Sequence, residues 1–278
     1  MKAKILERVK GINTSDGAGV KLVRVLSNQT VESYDPFLML DSFDSTNYDD
    51  YKAGFPMHPH RGIETITYLS AGHVTHRDSL GNEKTIGPKS IQWMTAGSGI
   101  LHSEFFDEED RLLGLQLWLN LPKHAKMTSP SYHEVLPEDI SVVNREGANI
   151  RVYSGSLEDA KSDQANYNPL DFYAIDLNGS VTISPKEGYT VNLFTLIGDI
   201  KVNGESVEEK TSVRLSEGDI TLESDDEVEV IWMASPPLKE PVAWGGPIVM
   251  NTREEVNHAF QELSKGTFLK EGIQEQNF

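Results

Sequence analysis

Short stretches in which apolar and polar residues alternate recur along this chain, and they constrain its fold more than any other feature. In ETITYL, Ile66 and Tyr68 fall on one face and the neighbouring threonines on the other. In GLQLWLNL, residues 114–121, every second residue is a leucine. Successive side chains of a strand point to opposite faces, so this pattern is typical of β-strands. The sequence therefore predicts an all-β fold.

Two Asn-Gly pairs stand between strand-like runs. Asn178-Gly179 separates FYAIDL from SVTI, and Asn203-Gly204 separates IKV from ESV. Both residues of such a pair tolerate positive φ, which the tight turns of β-hairpins require. We predict a hairpin at each pair.

One helix is predicted near the C-terminus, in TREEVNHAFQELSKG. Thr252 and Glu255 have capping-box spacing, and Gly266 suits the C-terminal cap. One apolar stripe is formed by Val256, Ala259, Phe260 and Leu263. We expect this helix to pack against a sheet and to carry no chemistry.

The domain boundary is predicted in the proline-containing connector at residues 122–139. The halves on either side are weakly similar, since TITYLSAGHV (65–74) resembles LFTLIGDIKV (193–202). Length alone allows one large domain or two, at 278 residues. We predict two tandem β domains, 1–130 and 131–278, with the helix at the end of the second.

Charge and composition exclude several classes of function. The chain has 43 acidic and 25 basic residues, a net charge of −18, which disfavours direct binding to nucleic acid or to anionic membranes. With no cysteine, it has no disulfide, thiolate ligand or cysteine nucleophile. MKAKILERVKG lacks the continuous apolar stretch of a signal peptide, so we expect none here, and no apolar run is long enough to cross a bilayer. A cytoplasmic protein is expected.

The stretch MHPHRGIETITYL contains two histidines at strand spacing. His58 and His60 are two apart, so both imidazoles leave the same face of a strand. Pro59 between them cannot donate to a ladder, which places the segment at a sheet edge. Its ring also restricts the backbone and would help to fix the imidazoles.

A second pair, His102 and Glu104, follows the glycine-containing run AGSG at residues 96–99. If its strand lies beside that of His58 and His60, the four side chains meet. Three imidazoles and a carboxylate suit iron, manganese, nickel or copper, with zinc a further alternative, and leave positions open on the ion. Glu64 is assigned to the surroundings of the site rather than to the ligands, since Gly62 would interrupt its strand.

The other histidines lack such a pattern. His73 and His76 are three apart in a predicted strand, so they would face opposite sides, and we expect surface or structural roles. In the second half, His133 and His258 are far apart, and SPKEGY stands where the weak repeat would place the first histidine pair. We expect the second domain to bind no metal.

Several long segments resemble the signature runs of the pirin family, which belongs to the cupins. They include GFPMHPHRGIETITYL, SIQWMTAGSGILHSE and GLQLWLNLPKHAKMTSPSY, with VESYDPFLMLDSF and PVAWGGPIVMNTREEV towards the ends. The resemblance covers nearly the whole chain. It implies two tandem cupin (jelly-roll) β-barrel domains and one mononuclear metal, usually iron, in the first. The family's ligand motif falls on His58, His60, His102 and Glu104.

Three functions follow from this resemblance. Some pirin-like proteins are similar to quercetin 2,3-dioxygenases, which implies an Fe(II) enzyme acting on a flavonol and dioxygen. Glu104 would then take the substrate's hydroxyl proton as general base. Apolar residues that flank the ligands in sequence are Phe55, Met57, Trp93, Met94 and Phe105. Other family members imply a redox-dependent regulator acting through a protein partner. The third alternative is a cupin acting on an unidentified small molecule.

Overall fold

The computed structural model describes residues 1–162 and 165–272 and confirms the predicted all-β fold with one short helix. Two compact units are present. The first comprises Asn13–Val31, Phe37–Leu136 and the described part of Lys239–Phe278. The second comprises Met1–Ile12, Glu32–Pro36 and Pro137–Leu238. No helix in the described part of the chain has the length and apolar character needed to cross a lipid bilayer.

The first unit is built on a seven-stranded and a four-stranded antiparallel sheet. The larger has the order β12-β9-β6-β11-β4-β3-β2, and the smaller β5-β10-β7-β8. Their strands are β2 (Ile12–Asp16), β3 (Val20–Leu26), β4 (Phe37–Ser45), β5 (Phe55–His60), β6 (Ile63–Ala71), β7 (Val74–Asp78), β8 (Glu83–Ile86), β9 (Ser90–Thr95), β10 (Ile100–Phe106), β11 (Leu112–Asn120) and β12 (Ser131–Val135). Phe43, Leu69, Val74 and Phe106 belong to one buried cluster, so apolar side chains of the two sheets pack together.

The second unit contains one nine-stranded antiparallel sheet. Its main path runs β1-β21-β18-β22-β17-β14-β13, with β19 and β20 attached beside β22. The strands of this sheet are β1 (Ile5–Lys10), β13 (Ser141–Arg145), β14 (Ala148–Ser154), β17 (Asp171–Ile183), β18 (Thr190–Ile197), β19 (Ile200–Val202), β20 (Glu205–Val207), β21 (Thr211–Leu215) and β22 (Ile220–Ser235). A separate two-stranded sheet consists of β15 (Ser156–Leu157) and β16 (Ala160–Lys161). Its core is rich in valine, isoleucine and leucine, the residues favoured in strands.

Both ends of the chain are grouped differently from the predicted division into 1–130 and 131–278. The N-terminal strand β1 pairs with β21, which places it in the second unit. The C-terminal segment belongs to the first unit, where β23 (Ala243–Gly245) pairs with β24 (Ile248–Met250) and α1 (Arg253–Lys265) packs on them. A strand joins the sheet edge that can pair with it, and position along the chain does not reveal which edge that is.

One of the two predicted hairpins is present. Val202 pairs with Glu205 across Asn203 and Gly204, which have φ of 52° and 89°. The prediction at Asn178-Gly179 is wrong, because β17 runs through this pair from Asp171 to Ile183. Its register against β22 shifts between Leu177 and Gly179, where one residue of β17 lies opposite residues 225–227 of β22, so the extra residues of this irregularity belong to β22.

The predicted helix is confirmed together with both caps. Thr252 and Glu255 form the reciprocal capping box, and Gly266 closes the helix at φ 69°. Val256 and Ala259 are buried, but Phe260, which we placed on the same stripe, is 43% exposed. The strands β23 and β24, which cover the helix, have only three residues each. They therefore cover less of the helix surface than the whole apolar stripe.

Candidate metal centre

Two adjacent strands carry the predicted ligand pairs. β5, with His58 and His60, forms the edge of the four-stranded sheet, as expected for a strand that contains Pro59. Within the described residues, β5 pairs in that sheet with β10 alone, and this pairing places His102 directly opposite His58. The two histidine-bearing segments therefore lie side by side.

His58, His60 and His102 converge on one point. The His58 ring lies 4.8 Å from His60 and 4.3 Å from His102, and His60 lies 5.1 Å from His102, measured between ring centroids. One nitrogen from each of the three lies within 4.8 Å of the others. His60 and His102 are buried and His58 is half-buried, so the cluster opens on the His58 side.

Hydrogen bonds fix the tautomers of His58 and His60. The Nδ1 of His58 lies 2.8 Å from the carbonyl oxygen of Pro56, and that of His60 lies 3.1 Å from the carbonyl oxygen of Pro247. A carbonyl oxygen only accepts, so each Nδ1 carries the hydrogen and each Nε2 a lone pair. The two Nε2 atoms lie 3.1 Å apart. Two lone pairs at this distance repel unless a cation lies between them.

The electrostatics favour the neutral imidazoles that metal ions bind. Burial, together with repulsion between two protonated rings at His58 and His60, lowers the pKa of His60 to about 3. Burial also holds the pKa of His102 well below its ordinary value. The Nε2 of His102 is buried and has no hydrogen-bond partner among the described residues. Three lone-pair nitrogens, one of them unpartnered, fit a divalent transition metal.

Glu104 lies next to His102 rather than among all three histidines. Its carboxylate accepts hydrogen bonds from the side-chain amides of Gln92 and Gln116 and, at 3.4 Å, from the hydroxyl of Thr67. With His76 and His102 it forms a second cluster whose ligand atoms lie within 4.8 Å of one another. The two clusters share His102.

Glu64 belongs to neither cluster of candidate ligands found in the described chain. Gly62, at φ 78°, separates β5 from β6, and these strands belong to different sheets. On β6, Glu64 and Thr67 are three residues apart and therefore face opposite ways, and Thr67 faces Glu104. Glu64 instead accepts a hydrogen bond of 2.7 Å from Thr95, and burial raises the pKa of its carboxyl to about 7.

His76 is the residue that sequence analysis set aside and the structure brings to the site. It is 1% exposed, its ring lies 5.2 Å from His102, and it stacks on Tyr132 at 4.4 Å. The expectation of a structural role at His73 agrees with its pairing to Glu109 outside the cluster. The overlooked signal is the two-residue spacing of His76 and Asp78, which matches the spacing of the other two pairs.

A cavity of about 480 Å³ borders His58 and His60. Four aromatic side chains form much of its wall, namely Phe43, Phe55, Trp118 and Trp244. Trp118 stacks on Trp244 at 5.8 Å and meets the His60 ring edge-on at 4.9 Å. Of the flanking residues that the sequence suggested, Phe55 lines the cavity, whereas Trp93 stacks on His133 and Phe105 is 39% exposed.

A charged cluster forms another part of the cavity wall. Arg24 donates to both carboxylate oxygens of Asp41, at 2.9 and 2.7 Å, and at 2.6 Å to Asp16. Burial raises the pKa of Asp41 even though Arg24 lies against it. The cavity therefore combines flat apolar walls with groups able to bind substrate hydroxyls.

The C-terminal segment of the first unit fixes the backbone around His60. Arg61 is 1% exposed and donates to Glu262 at 2.6 Å and to the carbonyl oxygen of Phe268 at 3.0 Å. Lys126 donates at 2.8 Å to the carbonyl oxygens of both Gly62 and Val249. This segment also supplies Trp244 and the Pro247 carbonyl, so it completes both the cavity and the histidine cluster.

Comparisons with known proteins agree with this architecture. Residues 19–119 match the model of the Pirin family, and residues 172–269 match that of the Pirin C-terminal cupin domain. A pirin-like protein of Caulobacter vibrioides is 40% identical over 271 residues, 95% of this chain and 98% of the relative. Human pirin is 35% identical over 272 residues, 94% of this chain and 92% of the relative.

Among solved structures, a crystal structure of quercetin 2,3-dioxygenase from Acinetobacter baumannii superimposes with a TM-score of 0.89. It is 33% identical and covers 98% of this chain and 100% of its own. The two matching domains confirm the prediction of two tandem cupin domains. The chain belongs to the pirin family of cupin proteins.

Proposed function

We propose that this protein is a metal-dependent dioxygenase that opens the ring of quercetin or a related flavonol with dioxygen. The observation that carries the proposal is the convergence of three buried or half-buried imidazoles beside an aromatic-walled cavity. The similarity to a quercetin 2,3-dioxygenase of known structure supports the same reaction class.

The proposed ligands are His58, His60 and His102, with Glu104 as the fourth. Fe(II) is the ion we expect, and manganese, nickel, copper and zinc are alternatives for this donor set. The chemistry that such an ion supplies when bound is Lewis-acid attraction of flavonol oxygens and of dioxygen. The fixed Nδ1 hydrogens of His58 and His60 aim both Nε2 lone pairs before any ion arrives.

Glu104 is proposed to take the hydroxyl proton of the flavonol. Its carboxylate accepts hydrogen bonds from the side chains of Gln92, Gln116 and Thr67. These donors stabilise the anionic form and hold both oxygens in place. A positioned carboxylate beside His102 can then accept a proton at one oxygen while the other keeps its amide partner.

The cavity suits a planar polyphenol. Its 480 Å³ lies within the roughly 300–1,000 Å³ typical of small-molecule sites. The indoles of Trp118 and Trp244 provide flat surfaces for stacking. The Arg24–Asp41 pair provides both donors and acceptors for ring hydroxyls.

The test is dioxygen uptake with quercetin by protein loaded anaerobically with Fe(II). We expect uptake to follow flavonol loss, and Glu104→Gln to reduce the rate by about 100-fold or more. The matched control is Glu83→Gln, an exposed residue of β8, which should leave the rate unchanged.

No uptake with iron, manganese, nickel or copper, despite one bound ion per chain, would overturn the proposal. The remaining alternatives would then be a regulator acting through a protein partner or an enzyme acting on another small molecule.

A further inference from the structure

A continuous chain of side chains leads from Asp78 to the histidine cluster. The Nε2 of His76 lies 2.9 Å from Oδ2 of Asp78, and its Nδ1 lies 3.4 Å from Nδ1 of His102. All three side chains are about 1% exposed. The ring of His76 is held between these partners and stacks on Tyr132.

The direction of these hydrogen bonds follows from Asp78. Its carboxylate accepts from the backbone amides of Leu80 and Asn82 and from the side-chain amide of Asn82. It therefore acts as an acceptor towards His76 as well, so Nε2 of His76 carries the hydrogen. In the neutral imidazole of His76, Nδ1 then carries a lone pair and can only accept a hydrogen bond.

The tautomer of His102 follows from that of His76. Because Nδ1 of His76 accepts the hydrogen bond, Nδ1 of His102 must carry the hydrogen and donate it. The Nε2 of His102 therefore carries a lone pair. This atom is the buried one without a hydrogen-bond partner in the described chain. The ring carries it towards His58 and His60, at centroid distances of 4.3 and 5.1 Å.

We propose that His76 is a positioning residue that, with Asp78, fixes the tautomer of His102 and makes it the strongest electron donor of the three histidine ligands. Both nitrogens of His76 are occupied, by Asp78 and by His102, so it does not serve as a ligand itself. The inference rests on the metal site proposed above.

The three histidines differ in what lies behind them. His58 and His60 donate from Nδ1 to neutral backbone carbonyls. His102 is backed by an imidazole and, behind it, a buried carboxylate. An anionic partner behind a ligating imidazole raises its basicity and favours the more highly charged state of a bound ion.

The experiment compares His76→Phe, which keeps an aromatic ring against Tyr132, with His73→Phe, its matched control outside the cluster. Co(II) is the probe, and its affinity and visible absorption spectrum are measured for each protein. We expect His76→Phe to bind Co(II) about 10- to 100-fold more weakly and with a shifted spectrum, while His73→Phe behaves as wild type. The Fe(III)/Fe(II) midpoint potential should rise in His76→Phe.

Asp78→Asn is the second variant, and it keeps the shape of the side chain while removing the charge. It should shift the Co(II) spectrum and raise the iron potential in the same direction as His76→Phe. The inference would be overturned if the variants that fold keep the Co(II) affinity, the Co(II) spectrum and the iron potential of the wild type. The proposed metal site would still stand in that case. Failure of the wild-type protein to bind Co(II) would instead overturn the metal site, and this inference with it.

Discussion

The Nε2 atoms of His58 and His60 lie 3.1 Å apart, and neither can carry a hydrogen in the neutral ring because each Nδ1 donates to a backbone carbonyl. The backbone thus holds two lone pairs against each other. With both rings neutral and no cation between them this arrangement is unfavourable, so we expect an ion bound at the two Nε2 atoms to relieve it. Preorganisation of this kind favours affinity because the ligands need not reorient.

His102→Ala is expected to lower the bound metal from about one ion per chain to below about 0.2, because it removes a buried donor from the centre of the cluster. Its apo form should remain folded, since the lost imidazole is a buried group with an unpartnered Nε2. Elemental analysis and circular dichroism measure both effects. His124→Ala, at an exposed position, is the control. Full metal content in His102→Ala would refute the ligand assignment.

Gly62→Ala should destabilise the protein by more than about 3 kcal/mol in chemical unfolding. Its φ of 78° strains any L side chain by about 1–2 kcal/mol, and the new Cβ would lie 2.1 Å from the carbonyl oxygen of Val249. Gly246→Ala is the matched control, with φ 56° and open space around the Cβ. It should show only the conformational cost. Equal losses in both variants would contradict the steric argument.

Glu64→Gln should stabilise the protein at pH 8 but barely at pH 5. Burial raises the pKa of the Glu64 carboxyl to about 7, above its ordinary value of 4.5. The folded state therefore holds this proton more tightly than the unfolded state, and stability falls as pH rises from 4.5 to 7. Gln removes this loss, which is on the order of 3 kcal/mol above pH 7. Urea unfolding of the metal-free protein at both pH values measures the gain in the free energy of unfolding. A gain that is the same at pH 5 and pH 8 would contradict the raised pKa of Glu64.

Glu262→Gln should lower the free energy of unfolding by about 2–4 kcal/mol, because it leaves the guanidinium of Arg61, 1% exposed, without its carboxylate partner. Asp49→Asn is the control, since the Asp49–Lys52 pair is exposed and its loss should cost less than about 0.5 kcal/mol. Guanidinium unfolding curves compare the two. A cost at Glu262 as small as that at Asp49 would show that Arg61 does not depend on this contact.

Trp244→Leu should weaken flavonol binding about 3- to 10-fold without changing metal content, because it removes one of the two stacked indoles of the cavity wall. Anaerobic titration with quercetin measures the Kd, and elemental analysis measures the metal. Phe260→Leu, an exposed aromatic residue on α1, serves as control. Unchanged affinity in Trp244→Leu would place the flavonol elsewhere in the protein.

The sequence determined the features that depend on neighbours along the chain. Alternation predicted strands because side-chain direction in a strand has a period of two. The two-residue spacing placed His58 beside His60 on one face for the same reason. The capping box at Thr252 and Glu255 is equally local, and so is the hairpin at Asn203-Gly204.

Only the tertiary structure decided which strands became neighbours. Asn178-Gly179 has the same residues as the true hairpin, but β17 pairs with β22 on both sides of it, and this pairing holds the strand extended. Glu64, already assigned to the surroundings of the site, lies outside the candidate ligand clusters because the chain changes sheet at Gly62. His76 joined it because β7 pairs with β10 and sets His76 opposite Glu104.

The tertiary structure also decided the composition of the cavity wall and the positions of the two ends of the chain. Trp244 reaches Trp118 through packing between segments far apart in sequence, and β1 pairs with β21. Side-chain direction within a strand is a property of a few adjacent residues. Sheet order depends on the free energy of the whole fold, which no single stretch of sequence records.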